Sequence, residues 1–276
     1  MLALSIPVLA LWLVADNSPA SSGSATNPSA INQGYLQMYD RQFEVAHKTF
    51  ADYERTRPDD PLAPASDAAA YLFGEFDRLH ILQSEFFLHD ENFVHAAKLV
   101  PDPAVRRAFD ATLDRAQKLA SGALATKPQD SNALFASIAI LGLRADFDAL
   151  IDKRYLSSLS AMKNSRITAE KLLMVDPTCY DAHLAVGVEN YMLSLKAAPM
   201  RWFLQLAGAQ TDRDQGIERL RITAEKGNYL KPYARLLLAV AALRARDRVE
   251  ARRLLEELAQ QFPHNPLYAE ELARIR

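Results

Sequence analysis

Two stretches that lie 205 residues apart decide the fold: EVAHKTFADYERTRPDDP at residues 44–61 and VEARRLLEELAQQFPHNP at residues 249–266. Both match the pattern A-x3-[FL]-x7-P-x2-P, and the aligned pairs are Ala46 with Ala251, Phe50 with Leu255, Pro58 with Pro263, and Pro61 with Pro266. The small alanine lets two crossing helices approach, and the larger residue one turn later fills the space beside the crossing. The first proline ends the helix because it lacks an amide hydrogen, and the second suits the first turn of the next helix.

Weaker copies of this pattern occur between the two stretches. DRAQKLASGALATKPQDSNALF places Ala116 and Ala120 twelve and eight residues before Pro128, and AEKLLMVDPTCYDAHLAVG ends a helix at Pro177. The 205-residue offset is close to six units of about 34 residues, the length of a tetratricopeptide repeat. We therefore expect an all-α fold, an α-solenoid of degenerate tetratricopeptide-like helical hairpins. Because the prolines are unevenly spaced, we expect the array to contain insertions.

Composition and local pattern agree with an all-α domain. The 276 residues include only 9 Gly, which sheets and their turns would use more heavily, and 49% of them are hydrophobic. Apolar spacing, capping residues and prolines predict one uninterrupted repeat domain over 30–276. The predicted helices are 30–40, 42–57, 62–88, 103–126, 131–145, 148–174, 179–195, 199–207, 212–226, 231–246, 248–261 and 265–275.

The N-terminus carries a separate signal. Residues 1–15 form an apolar run, shorter than the roughly 20 residues that span a bilayer, and small residues at 18–20 and 23–25 offer candidate cleavage sites. This resembles a secretory signal peptide, but the first basic residue is Arg41, so a retained apolar anchor stays open. Residues 16–29 are rich in Ser, Pro, Asn and Ala and are typical of a flexible linker. We expect an exported, periplasmic or envelope-associated protein, with a cytoplasmic location as the alternative.

The segment after residue 171 carries a denser set of motifs. A G-x2-N-Y helix contains Gly187, Asn190 and Tyr191, and an apolar helix with a proline spans 199–206. D-R-x2-G-I-x2-L follows at 212–220 and A-x2-G-x-Y at 224–229. Together with RLHILQSEFFLHDENF at 78–93, these motifs resemble exported bacterial tetratricopeptide proteins related to the tetratricopeptide-39 and inclusion-body-clearance family. The resemblance implies a helical-repeat fold without catalytic chemistry and an interaction or assembly role, and it carries over no functional residue.

No residue pattern predicts catalysis, a metal site or a cofactor. His80, His89 and His95 are separated by nine and six residues, whereas a helical zinc-protease motif needs histidines four apart, so we expect surface or inter-helix histidines. Cys179 is the single cysteine and is expected to be inert. The net charge of -2, with basic residues dispersed among acidic ones, does not favour a nucleic-acid partner.

A concave groove is the candidate binding site, since the first helix of each hairpin lines the concave face of such repeats. Counting from the proline anchors gives a largely apolar and aromatic lining: Phe73, Asn132, Phe135, Asp181, Leu184, Tyr191, Tyr233, Leu236 and Arg244. Aromatic anchors in a concavity suit a peptide or helix partner. The alternative is that irregular stacking closes the groove and makes these residues core.

These observations predict a non-catalytic helical-repeat scaffold that binds protein or peptide segments in the cell envelope. The alternative is a carrier of an apolar small molecule or lipid, which would use the aromatic lining and the helix with Trp202 and Phe203. We expect that helix to be buried rather than to lie on a membrane, because Arg201 is its one basic residue. Membrane contact is expected only through the N-terminal apolar segment.

Overall fold

The computed structural model describes residues 29–82, 99–196 and 198–275, and this part of the chain contains α-helices and no β-strand. The all-α prediction is confirmed. The twelve described α-helices are α1 (Ala30–Tyr39), α2 (Phe43–Thr56), α3 (Leu62–Arg78), α4 (Pro103–Thr126), α5 (Ser131–Asp146), α6 (Tyr155–Val175), α7 (His183–Ser194), α8 (Ala198–Leu206), α9 (Arg213–Lys226), α10 (Lys231–Arg244), α11 (Arg248–Gln261) and α12 (Pro266–Arg274). The predicted signal or anchor segment, 1–15, and the linker up to residue 28 lie outside the described residues.

The helices pack as sequential pairs. The pairs are α1 with α2, α3 with α4, α5 with α6, α7 with α9, and α10 with α11, and α12 packs on α11. Each first helix also contacts the second helix of the preceding pair, as α3 contacts α2 and α10 contacts α9. Helix α8 is inserted between the two members of the fourth pair.

Proline turns separate one pair from the next, as the sequence pattern predicts. Pro58, Pro128, Pro177 and Pro263 each follow a residue whose φ lies between −128° and −142°, outside the helical region. In each turn, the amide two residues after the proline donates to the carbonyl before it, at 3.0–3.2 Å. Four distant helices therefore end with the same local geometry, because a residue before proline avoids the helical conformation.

Small residues mark the position twelve residues before each of these prolines. Ala46, Ala116 and Ala251 are 0% exposed, which confirms that the predicted alanines face a helix contact. The third copy has Ser165 at this position, and its hydroxyl donates to the carbonyl of Ile138 on α5 at 3.0 Å. A small side chain at this point lets the second helix of a pair lie close to its neighbour.

The turns within the pairs use left-handed residues that are not glycine. Arg41, His80, Lys153 and Arg246 have φ between 54° and 62°, and each ends the first helix of a pair. Where the fourth pair would have this turn, α8 is inserted, and the turn after α8 contains Gly208 with φ of 80°. Left-handed residues after a helix satisfy its last carbonyl groups by pairing them with the following amides.

Two predicted helices differ most from the structure in their boundaries. The helix predicted over 62–88 ends at Arg78, because His80 is left-handed and the amide of Ile81 donates back to Phe76 at 2.9 Å. The rest of that prediction, from residue 83, lies outside the described residues. The helix predicted over 148–174 begins at Tyr155, because α5 continues into a π-helical turn, Phe147–Ile151.

Candidate functional site

Helix α1 occupies the interior of the molecule. Its apolar residues recur at 31, 34, 35, 38 and 39, the spacing of one helix face, and all five are buried. The ring of Tyr39 lies 5.7 Å from Phe73 on α3 and 5.8 Å from Phe262 after α11, and the ring of Tyr35 lies 5.3 Å from Tyr229. The sequence predicts this helix, but it does not predict that the helix covers the aromatic side chains of Phe73, Tyr229 and Phe262, which we call the aromatic face.

Polar contacts hold α1 against the last helices. The side-chain amide of Asn32 donates to Asn228 at 2.9 Å, across 196 positions of sequence. The carboxylate of Asp40 accepts from the backbone amide of His264 at 2.9 Å and lies 2.6 Å from its imidazole Nδ1. Asn265 donates to the carbonyl of Tyr39 at 2.8 Å. Helix α1 is therefore joined to the turn before α10 and to the turn after α11.

The nine residues predicted to line a groove lie mainly in this interior. Phe73, Phe135, Asp181, Tyr191 and Leu236 are 4–8% exposed. Leu184, Tyr233 and Arg244 are partly buried, and only Asn132 is exposed. Most of these side chains therefore belong to the core, and α1 packs over the aromatic face.

Several of the predicted residues have structural partners. The rings of Phe73 and Tyr233 lie 5.3 Å apart, and Asn132 donates to Asp60 at 2.7 Å. The buried carboxylate of Asp181 accepts from the backbone amides of residues 228, 229 and 230 at 2.9, 3.3 and 2.8 Å. Asp181 therefore fixes the turn between α9 and α10. Among the described turns between pairs, this one lacks a proline directly after the first helix.

Asp146 is a titratable group at the edge of this interior. Burial raises the pKa of its carboxyl group from 3.8 to about 7, and a hydrogen bond from the Tyr233 hydroxyl, at 3.4 Å, opposes this shift. Because the folded pKa lies above the unfolded one, the protonated form stabilises the fold fully below about pH 4. That contribution is lost as the pH rises through about 7.

We expect Asp146→Asn to stabilise the protein relative to the parent as the pH rises. The difference in unfolding free energy should grow by about 2 kcal/mol between pH 4 and pH 8, a value reduced from the full shift because the residue is partly exposed. Urea denaturation at pH 4, 6 and 8 measures it, with the exposed Asp59→Asn as the matched control. A pH-independent difference between Asp146→Asn and the parent would contradict the raised pKa.

A pocket of about 90 Å³ opens beside the C-terminal end of α1. It lies between the C-terminal ends of α1 and α3 and the N-terminal ends of α10 and α12, and we call it the seam pocket. Six aromatic side chains contribute to its wall: Tyr39, Phe43, Phe73, Phe76, Tyr233 and Tyr268. Arg41, Asp77 and Glu270 are the charged residues that line it, and Arg41 is paired with Asp77 at 2.6 Å.

Helix α8 exposes its apolar residues, contrary to the expectation of a buried helix. Met200, Trp202 and Leu206 are 55%, 61% and 67% exposed, whereas Arg201 and Leu204 are partly buried. Arg201 donates to the carbonyl of Lys196 at 2.8 Å, which turns its charge toward the helix start. Apolar content alone predicts burial, but among the described side chains of α8 only Arg201 and Leu204 are even partly buried.

A buried polar network fixes the loop that follows α8. Arg166 on α6 donates to Glu189 on α7 at 2.9 Å, to Glu170 at 2.7 Å and to the carbonyl of Gly208 at 3.0 Å. Gln210 donates through its backbone amide to Glu189 at 3.1 Å and through its side chain to Glu170 at 2.8 Å. Glu189 is 0% exposed, and burial raises the pKa of its carboxyl group while Gln210 and Arg166 lower it.

The network continues into the crossing of α7 and α9. Asn190 donates to the side chain of Gln210 at 2.8 Å and accepts from the backbone amide of Asp212 at 3.0 Å. Asp212 caps α9 by accepting from the amide of Gln215. Two of the motifs that carry the family resemblance, around Gly187 and Gly216, meet in this helix contact.

The remaining chemistry-bearing residues do not form a reactive cluster within the described ranges. No group of three or more His, Cys, Asp or Glu side chains there could hold a metal ion, and no helix there is long and apolar enough to cross a membrane. His80 is exposed, and His89 and His95 lie outside the described residues. Burial raises the pKa of the Cys179 thiol to about 11, which keeps it protonated at neutral pH.

Comparison with known proteins adds no relative. No protein-family model matches the chain, and no curated protein matches it significantly. The function proposed next therefore depends on the residues of this chain.

Proposed function

We propose that the chain is a non-catalytic helical-repeat scaffold, built of degenerate tetratricopeptide-like hairpins, that binds a protein segment through α8. The repeat assignment is supported by the shared geometry of the four proline turns and by the four left-handed turns within pairs. A relationship to the tetratricopeptide-39 family and a place in the cell envelope belong to the same proposal. They rest on the quoted motifs and on the apolar run at residues 1–15.

The exposed apolar face of α8 carries this proposal. Met200, Trp202 and Leu206 are each more than half exposed on a helix of nine residues. Clustered apolar exposure is unusual on a soluble protein unless a partner covers it, and tryptophan is the residue most enriched at interface hot spots. The buried network around Arg166 holds the loop after α8 through the carbonyl of Gly208 and the amide of Gln210.

A protein groove is a better occupant of this face than a membrane or a second copy. An interfacial membrane helix needs basic residues on its polar face, and α8 has only Arg201, whose guanidinium group is directed to the carbonyl of Lys196. Two copies meeting through the three exposed side chains would bury about 800 Å² in total, below the roughly 1,200 Å² of a stable interface. A groove that surrounds the helix would bury more of each side chain.

The seam pocket does not favour the alternative of a lipid carrier. Its volume is about 90 Å³. An engineered cavity of about 150 Å³ in another protein holds a single benzene molecule, so the seam pocket has no room for an acyl chain.

The test is capture from native cell extract by three immobilised forms of the protein. The parent and the control Leu156→Ala, altered at an 86% exposed position on α6, should retain the same protein. The double variant Trp202→Ala/Leu206→Ala should lose it, because a hot-spot tryptophan contributes at least about 2 kcal/mol, or about 30-fold in Kd. Thermal melting confirms that all three forms are equally folded. Equal retention by the α8 variant, or no retained protein, would contradict the proposal.

A further inference from the structure

The N-terminal end of α8 carries two basic residues that have no carboxylate partner among the described residues. Lys196 is exposed just before the helix, and Arg201 donates to the carbonyl of Lys196 at 2.8 Å rather than to an acid. The sequence contains no Asp or Glu between Asn190 and Thr211, so α8 itself is free of negative side chains. The partial positive charge of a helix N-terminus adds to that of the two side chains.

The C-terminal end of α8 has the same character. The ammonium group of Lys163, on α6, donates to the carbonyl of Ala207 at 2.6 Å. Arg213 is exposed at the start of α9, and Gln205 of α8 donates to Thr211, two residues before it, at 2.6 Å. Within the part of the chain that the structure describes, neither Lys163 nor Arg213 is paired with an acid. Basic groups therefore lie at both ends of the helix.

The carboxylates of the neighbouring helices are mostly engaged with other groups. Glu170 and Glu189 both pair with Arg166. Asp212 caps α9 by accepting from a backbone amide, and Asp214 is an exposed acid in the first turn of α9. The surface around α8 therefore keeps an excess of positive charge, which a partner with carboxylates would complement.

The exposed apolar side chains of α8 are spread around the helix. At about 100° per residue, Met200, Trp202 and Leu206 cover roughly 160° of the circumference. A flat surface contacts only one side of a helix, whereas a groove contacts its flanks as well. This spread favours a groove over a lipid surface.

We propose that the partner of α8 is a protein groove with an apolar floor and carboxylates at both of its ends. The floor receives Met200, Trp202 and Leu206. The carboxylates pair with Lys196 at one end of the helix and with Arg213 at the other. This inference rests on the proposed function and adds the charge of the partner to it. Because like charges oppose association, a groove with basic ends binds more weakly.

Synthetic helical hairpins test this charge preference. Each hairpin presents a leucine-lined groove, and the ends of the groove carry glutamate, glutamine or lysine. Isothermal titration calorimetry in low salt should show that the parent binds the glutamate hairpin about 2- to 30-fold more tightly than the glutamine hairpin, the range that two exposed ion pairs provide. The lysine hairpin should bind most weakly. High salt should bring the ratios toward 1, because it screens exposed charges.

Charge reversal locates the preference at the two ends of α8. The double variant Lys196→Glu/Arg213→Glu should prefer the lysine hairpin to the glutamate hairpin. The control Lys48→Glu/Lys118→Glu makes the same change in net charge at exposed positions on α2 and α4, and it should keep the preference of the parent. Thermal melting checks that both variants fold as the parent does.

Four results would overturn the inference. They are equal binding of the three hairpins by the parent, no binding of any hairpin, an unchanged preference in the charge-reversed variant, and tighter binding to vesicles of equal parts phosphatidylcholine and phosphatidylserine than to the glutamate hairpin. Equal binding of the three hairpins, if Trp202→Ala/Leu206→Ala abolished it, would leave protein binding through α8 intact. The failure of the charge inference is therefore distinguishable from the failure of the proposed function.

Discussion

Gly216→Ala is expected to lower the free energy of unfolding by about 2–3 kcal/mol, although alanine is the better helix former. A Cβ atom at Gly216 would lie 2.6 Å from the backbone nitrogen and 2.9 Å from the Cα of Tyr191. Backbone atoms cannot rotate away as the end of a side chain can, so α7 and α9 would have to separate. The crossing also includes Gly187, where a Cβ atom would lie 3.0 Å from the carbonyl oxygen of Gly216.

Gly142→Ala is the matched control for this substitution. Gly142 lies inside α5, and a Cβ atom there would meet no atom within 4 Å. The same chemical change should therefore raise the free energy of unfolding by about 0.5–1 kcal/mol through helix propensity alone. Urea denaturation of both variants gives the two values. Shifts of the same sign would show that α7 and α9 do not touch at Gly216.

Arg166→Met is expected to lower the free energy of unfolding by about 3–5 kcal/mol. The change removes the guanidinium group that lies 2.9 Å from Glu189, whose side chain is fully buried. An unpaired buried carboxylate is strongly destabilising, whereas replacing both partners with apolar residues is often tolerated. The double variant Arg166→Met/Glu189→Met should therefore recover at least half of the loss.

A double-mutant cycle measures this coupling through urea denaturation of the parent, both single variants and the double variant. Arg166→Lys is the conservative control, because it keeps the charge but carries its donors on one nitrogen, whereas three separate guanidinium nitrogens reach Glu189, Glu170 and Gly208. Simple additivity of the two single changes would contradict a paired, buried network. The same variants should weaken partner capture, since the network fixes the loop after α8.

The local pattern of the chain predicts the pair boundaries well. Pro58, Pro128, Pro177 and Pro263 end helices because the constraint that proline imposes acts on the adjacent residue and needs no tertiary contact. The buried alanines were predictable for a related reason, since a small residue at fixed spacing from the helix end has few uses other than a close crossing. Ser165 takes the same position and was missed, because a hydroxyl residue there does not resemble alanine in a pattern.

The within-pair turns were harder to predict. A left-handed residue after a helix is usually glycine, and Arg41, His80, Lys153 and Arg246 give no such signal. The helix that begins at Leu62 was therefore predicted to continue past Arg78, where it ends. A local pattern also could not show that α8 exposes Met200, Trp202 and Leu206, because exposure depends on which other helices pack against it.

Whether the aromatic face forms a groove or a core could not be decided from spacing. Phe73 and Tyr233 serve either purpose, and the outcome depends on what packs over them. The covering element is α1, whose contacts join residues 196 to 226 positions apart. Contacts of such sequence separation leave no trace in helix periodicity, so only the three-dimensional structure reveals them.

The packing of α1 against the C-terminal pairs makes this face a core, and cross-linking tests it directly. Asn32→Cys and Asn228→Cys are combined in a Cys179→Ser background and treated with a short bismaleimide. Because the two asparagine side chains lie 2.9 Å apart, the native protein should form an intramolecular product with altered gel mobility. The same protein in urea and each single-cysteine form should not. Cross-linking no faster in the native state than in urea would show that α1 does not close the interior.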